Sequence, residues 1–256
     1  LQKQNLHYSK MNVITSDDLK NFISENIQSF HSRRLQSLQT LKLKNVLLRK
    51  NPYLFKAKNI NTAETFVKTI LDAHLSSQEE GIFGSFLEQL AKFVCEKVYS
   101  GKKSSAEGID LEFEKEGIRY LLAIKSGPNW SNSQQISRLR DNFKKAKKIL
   151  QTNTGLMNVV AVNGCCYGKD NCDKGDYLKI CGKEFWALIS GDDNMFIDII
   201  KPLEHKAKQK NELFYESYSV VINNFTEEFI RDFCDKGKIN WEKIVRLNSE
   251  KGYKIL

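Results

Sequence analysis

The sequence of 256 residues predicts an α/β fold, a mixed central sheet flanked by helices, with an accessory helical region drawn from its N-terminal and C-terminal parts. Hydrophobic residues recur every three or four positions over Ser16–Leu48 and over much of Asn61–Val94, the spacing of one helix face. Between Gly108 and Lys125 the period drops to two, as on a strand. Asn158–Asn163 is a short, nearly all-apolar run of the kind that forms a strand covered on both faces.

In the first segment Leu19, Phe22, Ile23, Ile27, Phe30, Leu35, Leu38 and Leu41 form the stripe, and Ser16 stands as N-cap before Asp17 and Asp18. Asn51-Pro52-Tyr53 predicts a break and an extended connector to Asn61, because a residue preceding proline is pushed out of the helical region. Asn61 is then the expected cap of a helix bearing Phe66, Ile70, Leu71 and Leu75. Ser76–Gly81 predicts an interruption before a further helix with Phe83, Phe86, Leu87, Leu90, Ala91 and Val94 on one side. Next, Ile109, Leu111 and Phe113 alternate with Asp110, Glu112 and Glu114, and Ile118, Tyr120, Leu122 and Ile124 alternate with Arg119, Ala123 and Lys125. Lys115-Glu116-Gly117 supplies the turn of this hairpin. A helix follows to about Gln151 on Ile136, Leu139, Phe143, Ala146, Ile149 and Leu150. Phe185–Ile189 is a further candidate strand, and the remainder from Asp193 to about Cys234, and around Trp241, reads as helix.

With 40 Lys and Arg against 31 Asp and Glu the formal charge is +9, which favours a polyanionic partner, nucleic acid being the commonest. No apolar run approaches membrane-spanning length, and the first residues lack a signal peptide's apolar region. The expectation is an intracellular protein without a membrane partner, its six cysteines reduced. Four of them, Cys165, Cys166, Cys172 and Cys181, fall within seventeen residues. Two are adjacent and no second pair exists, unlike the paired Cys-x-x-Cys units of structural zinc sites; a zinc-bearing interaction module remains an alternative reading. The four histidines are dispersed, and no glycine-rich phosphate loop is present, which argues against a nucleotide cofactor.

Strand periodicity puts Asp110 and Glu112 on one face of the first strand and Ala123 and Lys125 on one face of the second, and a hairpin brings these faces together. Hydrolysis of a phosphodiester needs carboxylates to hold Mg²⁺ and a cation to orient or activate water. An acid on one strand and a lysine on its partner make such an arrangement, and equally make a plain charged hairpin. The following helix carries Arg138, Arg140, Lys144, Lys145, Lys147 and Lys148. Positions 140, 144, 147 and 148 form a positive stripe, a path for phosphates or simply a solvated face. Before it, Asn129, Trp130, Asn132 and Gln134 offer groups that read base edges or cap the helix.

The run Gly108–Phe113 (GIDLEF) followed by Ala123–Trp130 (AIKSGPNW) resembles the active-site hairpin of EcoO-type type II restriction endonucleases, in the PD-(D/E)XK superfamily. Lys50–Asn59 (KNPYLFKAKN), Phe83–Glu88 (FGSFLE), Val160–Gly168 (VAVNGCCYG) and Lys174–Tyr177 (KGDY) resemble it as well, so the similarity covers roughly residues 50 to 245. The resemblance implies a restriction-endonuclease-like core with Asp110 as a Mg²⁺ ligand and Lys125 as the water-orienting cation. The motif's middle acid falls on Ala123, which cannot bind metal. Either the acid has moved, or the chain is a deliberately inactive variant, or one carboxylate and a backbone oxygen suffice. Glu112 and Glu88 are the candidates for a displaced acid, Glu88 because superfamily members often aim a glutamate from the preceding helix at the metal.

The resemblance further implies Mg²⁺-dependent, sequence-specific cleavage of double-stranded DNA at a GG/CC-rich palindrome, leaving 5′-phosphate ends. It also implies a homodimer, since a palindrome cut twice calls for two sites about a two-fold axis, and a bacterial cytoplasmic location. On this reading 1–60 is an N-terminal helical region for dimerisation or DNA clamping, 61–192 the catalytic core and 193–256 a C-terminal helical region. The alternative within the same fold is a protein that binds DNA and does not cut it.

Overall fold

The computed structural model describes residues 12–154, 158–204 and 207–254. The helices α1 (Ser16–Gln39), α2 (Leu43–Leu47), α3 (Pro52–Ala57) and α4 (Ala63–Tyr99) lead into the hairpin β1 (Leu111–Lys115) and β2 (Ile118–Lys125). Then come α5 (Ser133–Thr154), β3 (Val159–Cys165), β4 (Cys172–Asp173), β5 (Leu178–Cys181), α6 (Gly182–Ser190), α7 (Met195–Asp198) and α8 (Ile200–Leu203). The chain ends with α9 (Ala207–Phe233), a small hairpin β6 (Cys234–Asp235) and β7 (Lys238–Ile239), and α10 (Trp241–Ser249). Two compact units result, Leu1–Ile27 with Phe83–His205 and Gln28–Ile82 with Lys206–Leu256, where described; the division falls inside α1 and inside α4. Among the described residues no helix is long and apolar enough to cross a membrane.

The first unit holds the sheet, ordered β1-β2-β3-β5-β4. β2, β3 and β5 run parallel, while β1 and β4 are antiparallel to their neighbours, so the sheet is mixed and flanked by helices. Glu116 and Gly117 form the hairpin turn at φ 53° and 74°, both positive, as a two-residue turn matched to strand twist requires. α5 crosses from β2 to the parallel β3 and buries Leu139, Phe143 and Ala146 with Ile109, Leu121, Ala123 and Ala161. On the other face Tyr99 of α4 stacks on Phe113 at 5.2 Å, and Phe113 on Tyr120 at 5.0 Å.

Strict alternation would put Ile109 with Phe113, yet Ile109 packs on the α5 side and Phe113 on the α4 side. The change of face occurs at Asp110. Its N–H donates to the Leu122 carbonyl at 2.8 Å although Leu122 pairs with Leu111, so two residues oppose one, a β-bulge.

Other expectations are corrected by local hydrogen bonding. The predicted extended connector after Asn51 is instead α3: the Asn51 side chain accepts from Tyr53 N (3.0 Å) and Leu54 N (3.4 Å), and Pro52 occupies the first turn, where its missing N–H costs nothing. The first helix stops earlier than expected, at Gln39. Thr62, rather than Asn61, caps α4, its Oγ1 accepting from Thr65 N at 3.3 Å. The interruption at Ser76–Gly81 is absent, and α4 runs through 37 residues. Ser77 bonds back to the Ala73 carbonyl at 3.2 Å and Glu79 is ion-paired with Arg34, so the polar run is satisfied without leaving the helix. Phe185–Ile189 is helical: Phe185, Trp186 and Ile189 share one buried face of α6, which Gly191 ends at φ 71°. β4 and β5 are too short to show a period.

The second unit is helical apart from the β6–β7 hairpin and is centred on Phe66, whose ring meets Phe55 at 5.7 Å, Phe229 at 4.9 Å and Trp241 at 5.4 Å. Arg34 lies 3.5 Å over the Phe214 ring and donates to Asn211 Oδ1 at 2.7 Å.

A Cβ built on Gly164 of β3 would lie 2.2 Å from the Phe185 ring, so α6 can approach only because that residue has no side chain. Gly164→Ala is expected to cost about 1–3 kcal/mol by overpacking. A lower urea midpoint at unchanged m would show this, and an unchanged midpoint would mean that α6 yields freely.

Candidate active site

Three elements converge where the hairpin meets the C-terminal part of α4. The Asp110 bulge takes its side chain out of the regular alternation, and Asp110 Oδ2 accepts the Ile124 N–H at 2.8 Å. α4 comes close to the end of β2 at Gly84, where a Cβ would stand 3.1 Å from that of Ser126. Glu88 lies four residues on, on the same helix face. It is held by an ion pair with Lys92, one further turn along.

The electrostatics record this convergence. Burial pushes the Asp110 carboxyl above its ordinary 3.8, opposed by the Ile124 N–H; the Glu88 charge raises it further, and Lys125 and Lys92 pull it down. Burial, then Glu88, push the Cys166 thiol up to about 12. The charge of Glu88 is therefore felt both at Asp110 and at Cys166, which follows β3. Glu112, the other candidate for a displaced acid, faces Arg119 at 3.9 Å and its backbone bridges Lys102.

Lys125 ends β2 with Nζ 4.9 Å from the centroid of the Trp130 ring. Trp130 donates its Nε1–H to Asn163 Oδ1 at 3.2 Å. Asn163, 1 % exposed, pairs in register with Ala123, and its Nδ2 has no partner. Ala123 is fully buried among apolar side chains. Sequence reasoning missed Lys92 and Asn163; the signals available were the helical i, i+4 spacing to Glu88 and a lone amide in the apolar run of β3.

The residues expected to touch DNA are differently engaged. Arg138 pairs with Glu107 at 2.6 Å, Arg140 and Lys144 face Asp176 at 3.8 and 3.5 Å, and Lys147 donates to the Asp176 carbonyl at 3.0 Å. Lys148 is exposed. Asn132 caps α5, accepting from Gln135 N at 3.0 Å while Gln135 accepts from Asn132 N at 2.9 Å. Asn129 and Gln134 are exposed.

Cys165 and Cys181 are register partners on β3 and β5, and burial holds the Cys165 thiol far above its ordinary value. Among the described residues no group of three or more His, Cys, Asp or Glu is gathered to hold a metal. The Glu88 charge raises the pKa of the half-buried Asp110 carboxyl, an electrostatic cost that a cation would relieve, and Mg²⁺ takes one or two carboxylates and fills its octahedron with water.

The family model described as Type II restriction endonuclease EcoO109I matches residues 17–211, and the chain belongs to that family. Its class of activity is accordingly that of a type II restriction endonuclease, a deoxyribonuclease. No curated protein matches the chain.

A carboxyl whose folded pKa is raised takes up a proton more readily when folded, so it costs stability at neutral pH, and the cost fades as pH falls through the folded value toward 3.8. Asp110→Asn keeps an oxygen for the Ile124 N–H and removes the charge. It should melt higher than the parent in EDTA at pH 7, by roughly 1 kcal/mol or about 2–4 °C, with the gap closing in acid. A gap that widens in acid would contradict this assignment of the carboxyl's environment.

Proposed function

We propose that the protein hydrolyses phosphodiester bonds of double-stranded DNA with Mg²⁺, using Asp110 and Glu88 as the carboxylates and Lys125 as the cation at the scissile phosphate. The observation that carries this reading is the place of Asp110, in the family motif's first acidic position, held by the Ile124 N–H and lying in the field of Glu88, Lys92 and Lys125. Asp110 and Glu88 would hold Mg²⁺, whose chemistry there would be Lewis-acid activation of the phosphate and its attacking water. Asp110 is fixed by the Ile124 N–H and Glu88 by Lys92, so neither must reorganise to present its oxygens. The Lys125 ammonium, resting on the Trp130 face, is available to orient water and to offset charge developing on phosphorus oxygens. In-line attack by water on phosphorus, with cleavage of the P–O3′ bond and protonation of the departing oxygen, would leave a 5′-phosphate and a 3′-hydroxyl.

The family's pattern extends the reading to a GG/CC-rich palindrome and to a homodimer presenting two such sites about a two-fold axis. Arg or Lys side chains would read guanines. Arg138, exposed on α5, and Lys148, beyond the Asp176 network, are the first residues of that helix to consider.

A second reading, DNA binding without cleavage, is favoured by one observation: Ala123 brings no oxygen to the motif's middle position. The unpaired Asn163 Nδ2 beside it is a donor that a carboxylate at 123 would satisfy.

Plasmid cleavage titrated with Mg²⁺ separates these readings when the sequence as it stands is run beside Ala123→Glu. Cleavage by both forms, lost by about 100-fold or more in Glu88→Gln and in Lys125→Ala, is the expected result. Cleavage by the glutamate form alone, or duplex binding with no cleavage by either form, would establish the second reading. A chain that neither binds nor cuts duplex DNA would refute both.

A further inference from the structure

Charge is distributed unevenly along the chain. Between Glu25 and Glu64 there are eight Lys and Arg and not one Asp or Glu, so this stretch accounts for +8 of the formal +9. Six of these cations, Lys42, Lys44, Arg49, Lys50, Lys56 and Lys58, belong to α2, α3 and their flanks in the helical second unit. All but the half-buried Lys50 are exposed, and among the described residues none of the six is ion-paired. The carboxylates of nearby α10 are occupied: Glu242 and Glu250 hold Arg246 at 2.7 and 3.1 Å. The field reaches inward, since burial first, then Arg49 and Lys50, lower the pKa of the buried His74.

The corner is firmly built. Asn248 of α10 donates to the carbonyls of Leu47, Leu48 and Lys50 at 3.3, 3.4 and 3.3 Å, anchoring the turn between α2 and α3. Asn51 caps the start of α3, and Lys56 Nζ lies 5.5 Å over the Trp241 ring. A cleft of about 370 Å³ opens beside Arg49, Lys50 and the 63 % exposed Tyr53, whose hydroxyl is a further phosphate donor.

From this we infer that the α2–α3 corner of the helical unit is a second DNA-contact surface, one that grips the sugar-phosphate backbone of a duplex without reading sequence. The inference rests on the DNA-cleavage reading above and assigns part of the affinity to a unit that holds none of the catalytic cluster. A polyanion suits the patch better than a second copy of the chain does. A two-fold contact through this corner would set cation against cation, with no carboxylate between Glu25 and Glu64 to answer them.

The test is binding of a fluorescein-labelled duplex of mixed sequence in EDTA across a NaCl series. Three full-length proteins are compared: the parent, the patch variant Arg49→Gln/Lys50→Gln/Lys56→Gln, and a control with the same charge removed from the same unit, Lys208→Gln/Lys236→Gln/Lys238→Gln. Thermal midpoints confirm that each is folded. The patch variant should bind about 10- to 100-fold more weakly, and its plot of log K against log salt should flatten by roughly 2–3, near 0.9 for each phosphate no longer neutralised. The control should keep the parent's slope. Equal weakening in both variants would reduce the effect to net charge and overturn the inference. An unchanged patch variant beside a parent that binds would also overturn it, as would a patch variant that sediments as monomer from a dimeric parent. If the parent does not bind duplex at all, the DNA reading itself falls.

Discussion

The candidate site depends on one irregularity in an otherwise regular hairpin, the doubling of Asp110 and Leu111 against Leu122. Without it Asp110 would continue the alternation, and Ile109 would lie with Phe113 instead of under α5. With it, a carboxylate stays at the margin of the sheet, tied to the Ile124 N–H and partly removed from water. Helix α4 completes the arrangement because Gly84 permits close contact with Ser126 and so delivers Glu88 one turn later. Backbone geometry, rather than strand parity, puts Asp110 in the field of Glu88.

Much of this was legible beforehand. The period-two hairpin, its turn and the α5 stripe are local patterns, and a single strand of sequence reports them directly. Asp110 and Lys125 could be named from the family-like hairpin, and Glu88 could be proposed from its place on the preceding helix. The partners of Glu88 and Glu112 were not legible, Lys92 for the one and Arg119 for the other, because side-chain pairing depends on how the segments lie in space. Two of the misread elements share a cause in satisfied polar groups. Ser77 and Glu79 look like a break until their partners Ala73 and Arg34 are known, and Pro52 looks like a stop until Asn51 is seen to cap. Phe185–Ile189 was ambiguous by its brevity, since five apolar residues suit either period.

Ala123 and Asn163 are register partners in which an apolar side chain lies beside a buried amide. An alanine there is compatible with the apolar cluster under α5, yet its neighbour in register keeps a buried amide donor unmatched. Buried donors left unpaired are costly. The same neighbour's oxygen is used, through Trp130, in the contact that meets Lys125. Asn163 thus uses its oxygen and leaves its amide nitrogen without a partner.

The three tryptophans sit in unlike company. Trp186 is sealed, its Nε1–H given to the Cys166 carbonyl at 2.8 Å, whereas Trp130 and Trp241 each lie beneath a lysine ammonium, one at the candidate site and one at the α2–α3 corner. Indole emission responds to charges near the ring. Removing either of the two half-buried indoles in turn would leave the molecule with one charge-sensitive, light-emitting witness at one place or the other, so that arrival of a metal ion or of a nucleic acid could be followed separately at each without attaching a dye.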